Sequence, residues 1–172
     1  MIDCAGSPRE LGRAQGAALR ESINGVRDVL CELEVLRLDQ PRFLPFSLFL
    51  NICEFRARGL LSGPLRRLDP ETAERIEGLA EGSGAGLGSL YLLNALEPML
   101  SFTRKHAGPP VVIPSPAGCS AVALRGARSS TGEPMIARNL DYLPLAQPFF
   151  FLRRSSPAGR ARALEFTLAP LA

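Results

Sequence analysis

The apolar period of this chain changes once, near residue 105. Before that point apolar residues recur three and four apart, which is the spacing of helix faces. After it they gather in short runs between Gly- and Pro-rich turns, which is the pattern of strands. Helices first and strands afterwards predict an α+β fold rather than an alternating α/β one. At 172 residues the chain is long enough for one structural domain with a substantial core. The expected division is a helical segment over 1–118 and the start of a β segment over 119–172.

Ser7-Pro8-Arg9-Glu10 is a capping box with proline at the first helical position. Leu11, Ala14, Ala18, Ile23, Val26, Leu30 and Leu33 then follow helical spacing, and Gly12 and Gly16 share a face where another backbone can approach closely or where they are simply tolerated. A second, largely buried helix is expected from about Pro45 to Leu61. A third opens at Asp69-Pro70-Glu71, places Ala73, Ile76 and Leu79 on one face, and ends at Gly82 and Gly84. Ser89 caps a fourth that carries Leu92, Leu93, Leu96, Met99 and Leu100. From His106 to Pro116, four prolines and a glycine around Val111-Val112-Ile113 predict an exposed connector.

Beyond the connector, Cys119–Leu124 and Pro134–Asn139 flank the turn-rich stretch from Arg125 to Glu133, a hairpin pattern with a long loop. Gln147–Arg153 and Arg162–Leu168 predict two further strands joined by Ser156-Pro157-Ala158-Gly159. The chain shows no internal repeat and no low-complexity tract.

Composition narrows the function classes. With 46% hydrophobic and 22% charged residues the chain is globular, and a net charge of +3 without an aromatic-interleaved basic stripe predicts no nucleic-acid partner. No apolar run is long enough to span a bilayer, so no membrane partner is expected, and Met1-Ile2-Asp3-Cys4 lacks the basic and apolar regions of a secretory leader. Cys4, Cys31, Cys53 and Cys119 have neither CxxC pairing nor histidine companions. They read as reduced thiols in a cytoplasmic compartment, three of them as small core residues, and no metal site is expected.

Cys119 stands apart, because it follows Gly118 at the point where the connector becomes a strand. A thiol becomes a useful nucleophile only beside a base or a cation. His106, the one histidine, lies in the connector and reads as a solvated loop residue rather than a catalytic base. Cutting the Gly118–Cys119 bond removes the need for it, since the freed α-amino group of Cys119, with a pKa of roughly 7.7–8.0, suits a general base near neutral pH. Glycine before the cysteine permits strained geometry and leaves its carbonyl open to attack. If the next strand lies alongside, Arg138 and Asp141 join the thiol. A plain ion pair at a strand end is the structural alternative for those two.

The run Cys119-Ser120-Ala121-Val122, followed by Gly132-Glu133-Pro134-Met135-Ile136-Ala137-Arg138-Asn139-Leu140-Asp141-Tyr142, resembles the N-terminal-nucleophile (Ntn) amidases. These include the choloylglycine hydrolase and penicillin V acylase group and the acyl-CoA:6-aminopenicillanate (isopenicillin N) acyltransferase group. Gly6-Ser7-Pro8-Arg9-Glu10-Leu11-Gly12-Arg13-Ala14-Gln15-Gly16 and Leu92-Leu93-Asn94-Ala95-Leu96-Glu97 resemble helices of the acyltransferase group, as does the long segment before the cysteine.

The resemblance implies a four-layer αββα sandwich and a cysteine amidohydrolase or acyltransferase acting on non-peptide C–N amide bonds. Cys119 would be both the self-cleaving residue and the nucleophile, Asp141 would hold the new α-amine, and Arg138 would support the thiolate. Tyr142, Phe149 and Phe150 are candidates to line an acyl pocket. No cofactor is implied, although a coenzyme A thioester is open as acyl donor beside a small acyl amide. The resemblance also implies further strands, an oxyanion-hole asparagine and a second arginine that cannot be assigned between Cys119 and Ala172, so the chain is expected to be truncated. The alternative is an inactive fragment that acts by association, its sheets completed by a second chain or a homo-oligomer.

Overall fold

Ser7 and Glu10 fix the start of the first helix by capping each other. The Ser7 hydroxyl accepts from the Glu10 N–H at 3.4 Å, and the Glu10 carboxylate accepts from the Ser7 N–H at 2.7 Å. This computed structural model describes residues 1–31, 37, 40–106, 117–142 and 144–172, without the side chains of 97–106, 117, 118, 141 and 142. Leu33 and the connector from 107 to 116 therefore lie outside the described residues.

Helix α1 is Pro8–Ala18 and α2 is Arg20–Leu30. The apolar series that predicted one helix is thus broken at Leu19, where no glycine or proline marks the change. Tertiary bonds support the new direction: Arg20 and Asn24 donate to the carbonyls of Gly82 and Ser83 at 2.9 and 3.2 Å.

Helix α3 is Phe46–Leu68, α4 is Pro70–Ser83 and α5 is Leu87–His106. Asp69 caps α4 by accepting from the Thr72 N–H at 3.1 Å, as its sequence predicts. Gly84, at φ +75°, ends it in the left-handed conformation. Gly82 does not terminate α4 as expected but packs inside it. A Cβ there would stand 2.2 Å from the Arg13 carbonyl oxygen of α1, and one at Gly78 would stand 2.1 Å from that of Arg9. Gly12 and Gly16 answer from α1, at 2.1 Å from the Arg75 carbonyl and 2.5 Å from that of Leu79. Four glycines let the two backbones touch.

Behind this contact lies the core: Leu11 of α1, Ile23, Val26 and Leu30 of α2, Ala73, Ile76 and Leu79 of α4, and Leu90, Tyr91 and Leu92 of α5. Helix α3 departs from expectation twice. It continues past Leu61 through Gly63 and Pro64, and it is not largely buried, since only Leu50 and Ala57 are buried along it. Its apolar residues are spread around the circumference, so one stripe alone faces the neighbours. His106 closes α5 rather than opening a connector.

Five strands are described: β1 Ile2–Gly6, β2 Ala117–Leu124, β3 Met135–Tyr142, β4 Phe150–Pro157 and β5 Ala163–Leu168. They form a mixed three-stranded sheet in the order β1-β4-β5 and a two-stranded antiparallel sheet, β2-β3. The β1 strand has no clear sequence signal. It pairs in parallel with β4, Ile2 opposite Arg153 and Cys4 opposite Ser155. The expected strand at Gln147 begins only at Phe150, because Pro144–Phe149 forms a 3-10 turn around Pro148. One strand ahead of the helices and four after them keep helices and strands segregated along the chain, which makes it α+β. Its contacts divide into two units, residues 1–111 with 148–172 and residues 112–147.

Candidate functional site

The second unit holds the β2–β3 hairpin. Gly132, at φ +77°, turns its loop, and the Ser129 and Thr131 hydroxyls bond to each other at 2.8 Å. The ladder pairs Ala121 with Arg138, Ser120 with Asn139, Cys119 with Leu140, Gly118 with Asp141 and Ala117 with Tyr142. Cys119 and Ala121 lie on one face of β2 by alternation, so Arg138, opposite Ala121, reaches Cys119 along the diagonal. Its Nη2 donates to the Cys119 Sγ at 3.1 Å. Both residues are exposed. Negative charge developing on the sulfur therefore has a guanidinium within hydrogen-bond distance.

Sequence reasoning brought Cys119 and Arg138 together, and the structure joins them directly. Asp141 and Tyr142 stand in register opposite Gly118 and Ala117, while their side chains lie outside the described residues. Phe149 and Phe150 belong to the first unit. Phe149 accepts from the Ala169 N–H at 2.9 Å through its carbonyl, and the Phe150 ring stacks on Phe166 at 5.0 Å.

None of the four cysteines is in a disulfide; Cys4 is buried, Cys31 and Cys53 are half-buried and Cys119 is exposed. Only Cys4 is thus a fully buried thiol, and burial pushes it above the ordinary cysteine range. Among the described residues no group of three or more His, Cys, Asp or Glu could hold a metal ion.

Sequence reasoning missed a polar cluster inside the first unit. Arg153 is 2% exposed, and its Nε and Nη2 donate to the two Glu165 oxygens at 2.8 and 3.0 Å. Arg153 also donates to Gln15 and the Ser155 hydroxyl to Glu165. Gln15, fully buried on α1, donates in turn to the carbonyls of Ala169 and Leu171, each at 2.9 Å. The signal was present in β4, where Arg153 and Ser155 alternate on the buried face. Arg75 stands beside this cluster, 3.9 Å from Glu165, with Nε and Nη2 buried and without a hydrogen-bond partner among the described residues.

A cleft of about 440 Å³ opens between Thr72, Arg75, Arg160 and Glu165. Glu71 there is paired with Arg160 at 2.5 Å, Asp69 with Thr72 at 2.6 Å, and Glu165 with Arg153. The two hydroxyls that line the cleft, on Thr72 and Ser155, both donate to carboxylates, those of Asp69 and Glu165. No family model matches the chain, and no curated protein matches it significantly.

Proposed function

We propose that the chain carries the nucleophile of a self-cleaving cysteine amidohydrolase or acyltransferase of the Ntn type, within a four-layer αββα sandwich. The observation that carries this reading is the 3.1 Å hydrogen bond from Arg138 to the Cys119 thiol. The register of Gly118 opposite Asp141 supports it further, by putting the backbone of a carboxylate residue across from the bond to be cut. Cysteines without a disulfide fit action in a reducing compartment such as the cytoplasm.

In maturation the Cys119 sulfur adds to the Gly118 carbonyl. Collapse of the adduct expels the Cys119 nitrogen as a free amine and leaves a thioester. Water then hydrolyses the thioester, releasing residues 1–118 with a new carboxylate and restoring the thiol. In turnover the α-amine takes the thiol proton and the sulfur attacks the acyl carbon of a small amide or acyl-CoA. The protonated amine supplies the leaving group with its proton, and water or an acceptor amine takes the acyl group. Asp141 holds the amine, and Arg138 stabilises charge on sulfur.

Intact-mass measurement under denaturing conditions tests the scheme. Two species dividing at Gly118/Cys119, lost in Cys119→Ala, are the expected result. A Cys119→Ala chain that still divides there would sink it. A second reading, association with another chain or with itself, is favoured by Leu164 and Phe166, exposed on the edge strand β5. One unprocessed mass, with no labelling of Cys119 by an acyl-amide probe, decides for that reading.

A further inference from the structure

Helix α3 presents its apolar residues to solvent. Leu48, Ile52 and Phe55 recur four and three apart, so they form one stripe, and they are 47%, 42% and 79% exposed. Gly59 and Gly63 continue that stripe, and a Cβ built on either meets nothing within 4 Å. No described part of the chain covers this face. Phe43, 88% exposed, precedes the helix, and Leu60 and Leu68 stand out on its flank and end at 66% and 85%.

The charges on this segment are predominantly positive. Between Pro41 and Leu68 there are five arginines, Arg42, Arg56, Arg58, Arg66 and Arg67, and one acid, Glu54. Glu54 is turned away in an ion pair with Arg27 at 3.1 Å, and Arg66 is held by Glu77 at 2.5 Å. Arg42, Arg56, Arg58 and Arg67 are exposed, and none makes an ion pair among the described residues.

We propose that the outer face of α3, with the turn before it, docks on an anionic lipid membrane. Three observations select this occupant. A second copy would set Arg56, Arg58 and Arg67 against arginines of the same face, which repel. The apolar side chains protrude singly from a convex helix instead of lining a groove, so they suit insertion among acyl chains better than a protein ridge. Aromatic and aliphatic side chains interleaved with arginines are what lies in the plane of a headgroup layer, the guanidinium groups on phosphates and their stems along the chains. A 23-residue helix offers a contact about 35 Å long. Among the described residues no helix is long and apolar enough to cross the bilayer, so the helix lies on the surface. The proposal departs from the expectation of no membrane partner, which rested on the lack of a spanning segment. The proposal is independent of the chemistry at Cys119.

Co-sedimentation of the purified full chain with phosphatidylcholine vesicles, with and without phosphatidylserine, tests it. Binding is expected only with phosphatidylserine and is expected to weaken as salt rises. Phe43→Ser with Phe55→Ser should lower the partition coefficient about tenfold or more. Arg56→Gln with Arg58→Gln should lower it about fivefold for each arginine. These side chains are outside the core, so an unchanged circular dichroism spectrum is expected to accompany the loss. Failure to pellet with phosphatidylserine vesicles, equal pelleting without that lipid, or binding unchanged by the phenylalanine substitutions would each overturn the proposal. So would a Phe55-dependent dimer that competes with the vesicles.

Discussion

Arg153 of β4 stands directly opposite Glu165 of β5 and holds both of its carboxylate oxygens, at 2.8 and 3.0 Å. One partner is almost fully buried and the other is a third exposed, so the pair is asymmetric. Removing the carboxylate strands a buried cation. Glu165→Ala is expected to cost about 2–4 kcal/mol, below the upper range for fully buried pairs because Glu165 keeps some solvent. Urea unfolding of the two proteins measures it, and a change under about 0.5 kcal/mol would show the pair to be dispensable.

The same carboxylate makes stability depend on pH. Hydrogen bonds from Arg153, and secondarily from Ser155, hold Glu165 below its ordinary value of 4.5. The folded pKa lies below the unfolded one, so this stabilisation is complete above the ordinary glutamate range and is lost as pH falls through the folded value. Glu165→Gln should therefore unfold with a flatter acid limb than the parent. Urea midpoints from about pH 7 down to about pH 3 test this, and parallel limbs would contradict it.

Gly12 and Gly59 should respond in opposite directions to the same substitution. Gly12→Ala drives a methyl onto the Arg75 carbonyl, which belongs to a helix backbone and cannot step aside. Separation of α1 from α4 should cost about 1–3 kcal/mol, more than the helix propensity that alanine returns. Gly59→Ala meets open space in the middle of α3 and should stabilise by about 0.5–1 kcal/mol. Thermal melts of both variants decide the matter; a stabilised Gly12→Ala would refute the close contact.

Arg138 should govern the reactivity of Cys119. Arg138→Ala removes the donor at 3.1 Å, and alkylation of Cys119 by iodoacetamide should slow several-fold, with partial recovery in Arg138→Lys. Peptide mass mapping separates Cys119 from the other three thiols. An unchanged rate would reduce the bond to a surface contact.

The local signals in the sequence read well where they were strong. The box at Ser7 and Glu10, the cap at Asp69, the stop at Gly84 and the β2–β3 hairpin all lie where residue chemistry put them. The nearness of Cys119 to Arg138 followed from two strands side by side, whereas their diagonal register had no signal in the sequence. What escaped notice depended on distant partners. Five residues of β1 become a strand only because β4 offers them a ladder, and α2 turns at Leu19 under bonds from the end of α4. Nothing near Arg153 in the sequence singles it out, because its partners Gln15 and Glu165 lie 138 positions before it and 12 after it.

The parallel ladder between Ile2–Gly6 and Arg153–Pro157 joins residues from either side of the Gly118–Cys119 bond in one sheet. The sheet combines residues 2–6 with residues 150–168, and Gln15 reaches across the same divide to Arg153 and the carbonyls of Ala169 and Leu171. A cut at Gly118–Cys119 would therefore leave the two pieces joined by this sheet and by the bonds of Gln15. The first residues act as a rivet, so a short deletion at the amino end would do more to separate the halves than a cut in the middle.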